Sequence, residues 1–212
     1  MLSKEILDKI AHARSISAGE TAETTIDYRN IGELLFKQAR YFDTKPYLIY
    51  YDQAGERLEY NFKDLFMLAQ QCAVMMRRLG VGRGDRIATA SHNHSDTVIQ
   101  YFAAWLLGAC VVPVSLSEDD DRLRYILQHS AAKLVFVREE YVGRILPLTQ
   151  GIATVGSVLS CGRTTIAPAG CLSFEAELEA SDPFFVSQEA VTIEDEALIV
   201  YTSGTTGNPK GV

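Results

Sequence analysis

The chain has 212 residues, of which 47% are hydrophobic and 22% are charged, and its formal net charge is −7. This composition is typical of a globular protein with one sizeable core, and the acidic balance argues against a nucleic-acid partner, which requires a basic face. The N-terminus lacks the apolar core of a signal peptide. The longest apolar stretch, residues 101–114, is interrupted by glycine and proline and is too short for a membrane span. We therefore expect a cytoplasmic protein.

The first part of the chain predicts a lead-in, a helix and a hairpin. Residues 1–27 are polar and weakly patterned, which favours a short helix followed by a flexible lead-in. An amphipathic helix is expected to begin near Asn30. Residues 47–51 and 58–60 flank a turn signal at residues 52–55, so we expect a β-hairpin there.

A helix and then an alternation of strands and helices follow the hairpin. Asn61 can cap a helix whose apolar residues recur at helical spacing as far as Leu79. Ser95 is the expected cap of a later helix. The predicted strands are residues 86–90, 110–114 and 133–137, and the predicted helices between them are residues 95–107 and 120–129.

Alternation of this kind implies parallel strands joined by right-handed crossovers. We therefore predict an α/β fold with an open, largely parallel sheet flanked by helices, preceded by the N-terminal hairpin. Ligands of such sheets bind at the carboxyl ends of the strands. For residues 151–187 we expect one or two short strands, a short helix and surface loops, and we interpret the segment as a variable insertion.

The four cysteines do not indicate a zinc site or a redox pair, because no C-x-x-C spacing occurs. Cys72 and Cys110 lie in apolar patterns and are expected to be buried. Cys161 and Cys171 flank a loop-like stretch and could pair in an oxidising compartment, whereas in a cytosolic chain we expect them to be reduced.

Three further features suggest sites but have plainer explanations. His92 and His94 lack partner ligands, so we interpret them as part of a loop after a strand and predict no metal site. The acidic run at residues 119–121 is interpreted as a solvated helix N-terminus. Trp105 lies among apolar neighbours and is expected in the core.

The last twelve residues carry the strongest functional signal. An apolar strand pattern at residues 197–201 runs directly into hydroxyls and glycines, and a lysine closes the run. Glycines allow close backbone approach, successive N–H groups form a concavity for anions, and hydroxyls and a lysine suit phosphate oxygens. The predicted phosphate-binding residues are Thr202, Ser203, Gly204, Thr205, Thr206, Gly207 and Lys210.

This loop differs from the two best-known glycine-rich phosphate loops. The Walker A pattern requires a second glycine five residues after the first, and then Lys followed by Ser or Thr. This chain has Pro209 in place of the second glycine, and Gly211 follows Lys210. The dinucleotide pattern G-x-G-x-x-G is also absent. A solvated linker is the alternative, but a linker requires neither a preceding strand nor a closing Pro-Lys.

Residues 202–211 resemble the phosphate loop of the adenylate-forming superfamily, which includes acyl- and aryl-CoA synthetases, adenylation domains of peptide synthetases and luciferases. Other segments resemble the same family over about residues 28–140 and again over residues 191–212. They are residues 30–35, 60–65, 79–87, 105–114, 122–127 and 132–137.

The resemblance implies a two-stage reaction. A carboxylic acid attacks ATP, with Mg²⁺, to give an acyl-adenylate and pyrophosphate, and a thiol then captures the acyl group. The thiol would belong to coenzyme A or to the phosphopantetheine of a carrier. The hydroxyls of the loop would contact phosphate oxygens, the glycines would turn the backbone, Pro209 would fix the exit of the chain and Lys210 would neutralise the leaving group.

The family continues for several hundred residues beyond this point. We therefore interpret residues 28–212 as part of an AMP-binding N-terminal domain that ends just after the phosphate loop, with no catalytic residue inside it. The chain alone is expected to be inactive, to expose apolar surface, to self-associate and to be poorly ordered around residues 202–212. A carrier-loading adenylation domain, a fatty acyl-AMP ligase and a non-catalytic nucleotide-binding scaffold are the alternatives to a CoA ligase.

Overall fold

The computed structural model describes residues 28–162, 164–184, 191–202 and 208–212, together with Lys4. The predicted lead-in, residues 1–27, therefore lies almost entirely outside the described residues. In chain order the elements are α1 (Ile31–Phe42), β1 (Pro46–Tyr51), β2 (Arg57–Asn61), α2 (Phe62–Arg78), β3 (Arg86–Ala90), α3 (Ser95–Leu107), β4 (Cys110–Val114), α4 (Asp120–His129), β5 (Ala132–Arg138), a 3₁₀ turn (Glu139–Tyr141), α5 (Val142–Thr149), β6 (Ser157–Cys161), β7 (Leu172–Ser173), α6 (Phe174–Glu179), β8 (Tyr201–Thr202) and β9 (Lys210–Gly211).

Five of these strands form the central sheet, in the order β4-β3-β5-β6-β7. Every neighbouring pair in this sheet is parallel. Strands β1 and β2 pair antiparallel outside the sheet, from Tyr51 opposite Arg57 to Pro46 opposite Asn61. The predicted α/β fold with an open parallel sheet and a preceding hairpin is confirmed.

Both faces of the sheet are buried, which explains why its strands are apolar without a polar alternation. On β5, Leu134 and Phe136 belong to one core, which includes side chains of α2 and α3. Val135 and Val137 on the same strand belong to a second core, which includes side chains of α4 and α5. Successive residues of a strand point to opposite faces, so one short strand supplies both layers.

The side chains that begin the helices were largely predictable. Asn61 Oδ1 accepts a hydrogen bond from Asp64 N at 2.8 Å and caps α2 as expected. The prediction that Ser95 caps α3 is wrong, because Ser95 is the first helical residue and is buried. His94 is the cap, and its Nδ1 accepts from Asp96 N at 3.1 Å. An imidazole nitrogen satisfies the same orphan donor as the usual cap oxygens.

The segment after β5 is part of the main sheet and is not a peripheral insertion. Strand β6 pairs with β5 from Leu134 opposite Ser157 to Arg138 opposite Cys161, and β7 extends the sheet beyond it. The expected short strands and short helix are present as β6, β7 and α6. Helix α5 was not predicted in this stretch.

The four cysteines are free, and Cys72, Cys110 and Cys161 are buried. Burial raises the pKa of the Cys110 thiol to about 11 and raises the pKa of Cys161 further. These thiols are therefore protonated and unreactive at neutral pH. Among the residues that the structure describes, no helix has the length and apolar character needed to cross a bilayer.

Candidate functional site

The chain that leads into the predicted phosphate loop pairs with the edge of the central sheet. Val111 N of β4 donates to Ala197 O at 3.0 Å, and Ile199 N donates to Val111 O at 2.9 Å. Leu198 forms a parallel bridge with Val111 between these two bonds. The strand predicted over residues 197–201 is therefore present only in part: Leu198 forms a parallel bridge at the outer edge of β4, and Tyr201 begins the separate strand β8.

A small antiparallel ladder then brings the two ends of the loop together. Tyr201 pairs with Gly211, and Thr202 pairs with Lys210. Val200 and Val212 exchange two backbone hydrogen bonds, of 2.9 and 3.0 Å. We call residues 200–202 and 210–212 the stem of the loop.

The stem places two of the predicted phosphate-binding residues opposite each other. Thr202 and Lys210 are both exposed and lie on the two sides of the stem, at the point where the loop begins and ends. The other predicted residues, Ser203, Gly204, Thr205, Thr206 and Gly207, lie outside the described residues. An exposed hydroxyl and an exposed ammonium group at the mouth of a loop are suitable donors to an anion.

The closing residues of the loop have packing roles that explain their identity. Pro209 is buried. A Cβ on Gly211 would lie 2.8 Å from Ile199 Cγ2 and 3.2 Å from Tyr201 Cζ, which is too close for any larger residue without displacement. Gly211 therefore allows the Tyr201 ring to lie directly against the opposite strand of the stem.

Three side chains hold residues 191–197 against the body of the protein. Asn30 Nδ2 donates to Val191 O at 2.8 Å, and Trp105 Nε1 donates to Ala197 O at 2.8 Å. Arg83 Nε donates to Asp195 Oδ1 at 2.8 Å. Hydrogen bonds from the Thr192 backbone N–H and then from Arg83 lower the pKa of Asp195. Trp105 is half-buried and packs against the core, whereas the sequence predicted a place inside it, and its indole has this specific polar partner.

A contact that the sequence did not predict joins the stem to α4. The Tyr201 hydroxyl lies 2.7 Å from His129 Nδ1, across 72 residues of sequence. Burial raises the pKa of Tyr201, with a smaller contribution from Tyr125. No local pattern signals this pair, since His129 looks like an ordinary polar residue at the end of a helix.

A cavity of about 290 Å³ lies between the stem and the carboxyl ends of two strands. Its walls include Ser91, which follows β3, Ser115, which follows β4, and Tyr201 and Pro209 of the stem and loop end. The Thr97 hydroxyl donates to Ser91 Oγ at 3.2 Å in the same wall. The loop therefore begins at the edge of the sheet where ligands of parallel sheets bind.

A second, larger cleft of about 520 Å³ lies beyond the carboxyl ends of β3 and β5. His92 Nδ1 lies 3.3 Å from Glu140 Oε1, and His94 caps α3. Arg138 Nη1 donates to Asp96 Oδ2 at 2.8 Å. Within the described part of the chain, no three His, Cys, Asp or Glu side chains gather in a way that could hold a metal.

The acidic run before α4 has structural partners. Asp119 Oδ1 accepts from Arg122 N at 2.9 Å and caps the helix, and Asp120 accepts from Arg144 Nε at 2.7 Å. The interpretation of this run as a helix N-terminus is confirmed.

The described residues form an α/β protein with an open parallel sheet, and the hydroxyl- and glycine-rich loop begins and ends at its carboxyl edge. The chain belongs to the AMP-binding enzyme family, whose profile matches residues 35–212.

Several of its relatives are proteins named as CoA ligases. The chain is 29% identical to 4-coumarate–CoA ligase 2 of Oryza sativa subsp. japonica, over 85% of this chain and 32% of that protein. It is 30% identical to the mitochondrial malonate–CoA ligase of Xenopus laevis, over 84% of this chain and 29% of that protein. The chain thus spans about a third of the length of these relatives.

Solved structures of CoA ligases share the fold of this chain. The anthranilate CoA ligase AuaEII, solved in complex with anthranoyl-AMP, superposes with a TM-score of 0.78 and 23% identity. The match covers 87% of this chain and 34% of that protein. The architecture is that of the N-terminal subdomain of adenylate-forming enzymes.

Proposed function

We propose that this chain is the phosphate-binding portion of an ATP-dependent, AMP-forming acid–thiol ligase. In the first step a carboxylate oxygen attacks the α-phosphorus of ATP, the bond to the bridging oxygen of pyrophosphate breaks, and an acyl-adenylate forms. In the second step a thiol displaces AMP and takes the acyl group. Coenzyme A is the proposed thiol because the relatives described above are named as CoA ligases.

The placement of Thr202 and Lys210 at the mouth of one loop is the observation that supports this proposal. Pyrophosphate leaves with a high negative charge, so the reaction needs donors and positive charge around the β- and γ-phosphates. We propose that the phosphate oxygens are contacted by the hydroxyls of Thr202, Ser203, Thr205 and Thr206. Gly204 and Gly207 would allow the backbone to turn, and Lys210 would neutralise the charge of the leaving pyrophosphate.

Mg²⁺ is proposed to enter with ATP as part of the substrate. This ion keeps several waters and is commonly held by substrate phosphates with one or two carboxylates.

Residues 28–212 are proposed to be one part of the AMP-binding domain, with the acyl pocket and the adenine and ribose contacts supplied by other segments. The exposed apolar side chains of Ile193, Leu198, Val200 and Val212 support a surface that is covered by such segments and that self-associates when uncovered. The free cysteines support a reducing compartment such as the cytoplasm.

The proposal is tested by ATP–pyrophosphate exchange with a panel of carboxylic acids, using the natural polypeptide that carries this sequence. We expect exchange that depends on one class of acid. Lys210→Ala should lower the exchange rate by about 10²-fold, as loss of one transition-state donor typically does, with little effect on folding. Lys63→Ala, which removes an exposed lysine far along the chain from the loop, is the matched control.

Unchanged exchange in Lys210→Ala would refute the role of the lysine. Absence of exchange with every acid would refute the adenylation reaction itself, and nucleotide binding without turnover would support the scaffold alternative. Replacement of coenzyme A by a phosphopantetheine-loaded carrier distinguishes a CoA ligase from a carrier-loading domain.

A further inference from the structure

Tyr201 contacts α4 directly before the predicted phosphate loop begins. It is the first residue of β8 and directly precedes Thr202, so any movement of its backbone moves the predicted phosphate ligands. Its ring lies against Gly211 on one side, and its hydroxyl lies 2.7 Å from His129 Nδ1 on the other. The side chain therefore crosses from the stem to a helix of the central domain.

His129 is itself held in place by its neighbours. It is the last residue of α4, and its ring stacks on Tyr125 with a centroid distance of 5.1 Å and an interplanar angle of 23°. The rings of His129 and Tyr201 meet edge to face at 5.8 Å and 86°. A stacked ring on a helix is a rigid point of attachment, which a long flexible side chain would not provide.

We propose that His129 is a positioning residue for the adenylation reaction. Its hydrogen bond to Tyr201 fixes the position of the phosphate loop. This inference rests on the proposed function. His129 touches no substrate in this scheme, and its effect reaches the nucleotide only through the stem.

The hydrogen bond has defined chemistry. The Tyr201 phenol is protonated at neutral pH, because its ordinary pKa of 10.0 lies well above neutrality and burial raises the pKa further, so its O–H donates to Nδ1 when the imidazole proton is on Nε2. Phosphoryl and nucleotidyl transfer depend mainly on positioning and electrostatics, and a displacement of about 1 Å can cost about 10²-fold in rate. A bond that ties the stem to α4 is therefore expected to influence turnover.

The side chain of asparagine provides a conservative replacement. Its amide nitrogen occupies nearly the position of His Nδ1, whereas the glutamine amide is one methylene further from the backbone. His129→Asn can therefore restore a hydrogen bond to Tyr201, with its oxygen as acceptor or its nitrogen as donor. His129→Ala and Tyr201→Phe each remove the bond.

The test is a double-mutant cycle on the natural polypeptide, measured by ATP–pyrophosphate exchange with the best acid of the panel. We expect His129→Ala and Tyr201→Phe each to lower kcat about 10-fold, as loss of one hydrogen bond typically does. The double variant should be no slower than the slower single variant, because both remove the same bond. His129→Asn should recover most of the rate, and KM for the acid should remain unchanged in all variants.

Hydrogen exchange of residues 200–202 and 210–212 without nucleotide gives a readout independent of turnover. These amides should exchange faster in His129→Ala and Tyr201→Phe and at the wild-type rate in His129→Asn. Tyr60→Phe removes a half-buried phenol that lies 3.4 Å from Ser95 Oγ and serves as the control.

Several results would overturn this inference. Additive effects of the two substitutions, full activity of His129→Ala, or unchanged amide exchange in the stem would each contradict it. If the wild type lacks exchange activity with every acid, the proposed function fails, and the amide measurement still decides whether His129 holds the stem.

Discussion

Several residues of this protein form two hydrogen bonds that stabilise different parts of the structure. Ala197 O accepts hydrogen bonds from both the Trp105 indole and the Val111 amide. Asn30 uses its amide oxygen to cap α1 and its amide nitrogen to hold Val191. Such residues appear ordinary in the sequence, because each one acts through a partner that is distant along the chain.

Glu175 illustrates how burial near the sheet changes acid–base behaviour. Its Oε1 accepts from Gly162 N at 3.1 Å and its Oε2 from the Ser173 hydroxyl at 3.3 Å. Burial raises its pKa above the ordinary value of 4.5, nearby Asp96 raises it further, and the hydrogen bonds oppose this shift only in part. The charged form is thus disfavoured in the folded state.

We predict that, as pH rises, the wild type loses stability relative to the Glu175→Gln variant. A carboxyl whose pKa is raised on folding contributes stability below its unfolded pKa and loses it as pH rises through the folded pKa. Melting temperatures of both proteins between about pH 4 and about pH 7 should therefore diverge in favour of the variant. Glu179→Gln in the same helix, where the residue is exposed, is the control and should show no such divergence.

At the scale of the element, the segment before the loop depends on α1 for its position. The Asn30 amide joins the start of α1 to Val191, where the chain approaches β4. The Arg83 and Trp105 contacts lie further along the same segment. Contacts that begin about ten residues before the first hydroxyl of the loop therefore help to position it.

We predict that two substitutions of Asn30 separate capping from anchoring. Asn30→Asp keeps the oxygen that accepts from Glu33 N and loses the donor to Val191 O, so helix stability is retained while residues 191–197 are released. Asn30→Ala loses both and should also cost about 1 kcal/mol of stability, as removal of a cap does. Thermal unfolding measures the loss of helix capping, and hydrogen exchange of residues 191–197 measures the release of that segment.

Equal exchange of residues 191–197 in Asn30→Asp and the wild type would contradict the anchoring role. A loss of stability in Asn30→Asp as large as that in Asn30→Ala would contradict the separation of the two roles.

Elements with a strong local pattern were predictable, and those that depend on distant partners were not. The apolar repeat of α2 and the alternation from β3 to β5 were read correctly from spacing alone. Strand β6 is short and contains two serines, and only its pairing with β5 defines it. His94 was missed as a cap because the more usual cap residue, Ser95, follows it.

The candidate site divides in the same way. The loop is recognisable because its residues are contiguous, and the placement of Thr202 opposite Lys210 follows from a hairpin that the motif does not reveal. The predicted roles of the loop residues remain predictions. The Tyr201–His129 contact depends on how α4 packs against one face of the sheet, which no window of sequence contains.

At the scale of the whole molecule, the two cores share one sheet and should not unfold separately. Leu134 belongs to the core that contains α2 and α3, and Leu127 belongs to the core that contains α4 and α5. Both side chains are fully buried. Because β3 and β5 supply residues to both layers, disruption of either layer weakens the same backbone ladder.

We predict that Leu134→Ala and Leu127→Ala each destabilise the protein by about 2–5 kcal/mol, as large-to-small core substitutions do. Both should accelerate hydrogen exchange of the β3 and β5 amides to a similar extent. Met67→Ala, at an exposed position of α2, should change stability by less than about 0.5 kcal/mol. Exchange that increases only in the helices of the substituted layer would contradict a shared cooperative unit.

The pairing of residues 197–199 with β4 also explains where the stem leaves the sheet. Val111 uses both its N–H and its carbonyl toward this segment, and the next residue of β4 that faces the same way is Pro113. Proline has no N–H, so Ile199 O receives no bond from it and the ladder cannot continue. Proline thereby ends this pairing at a fixed residue, and an amino acid with a free amide at position 113 would let the pairing lengthen and draw the predicted phosphate loop towards the edge of the sheet.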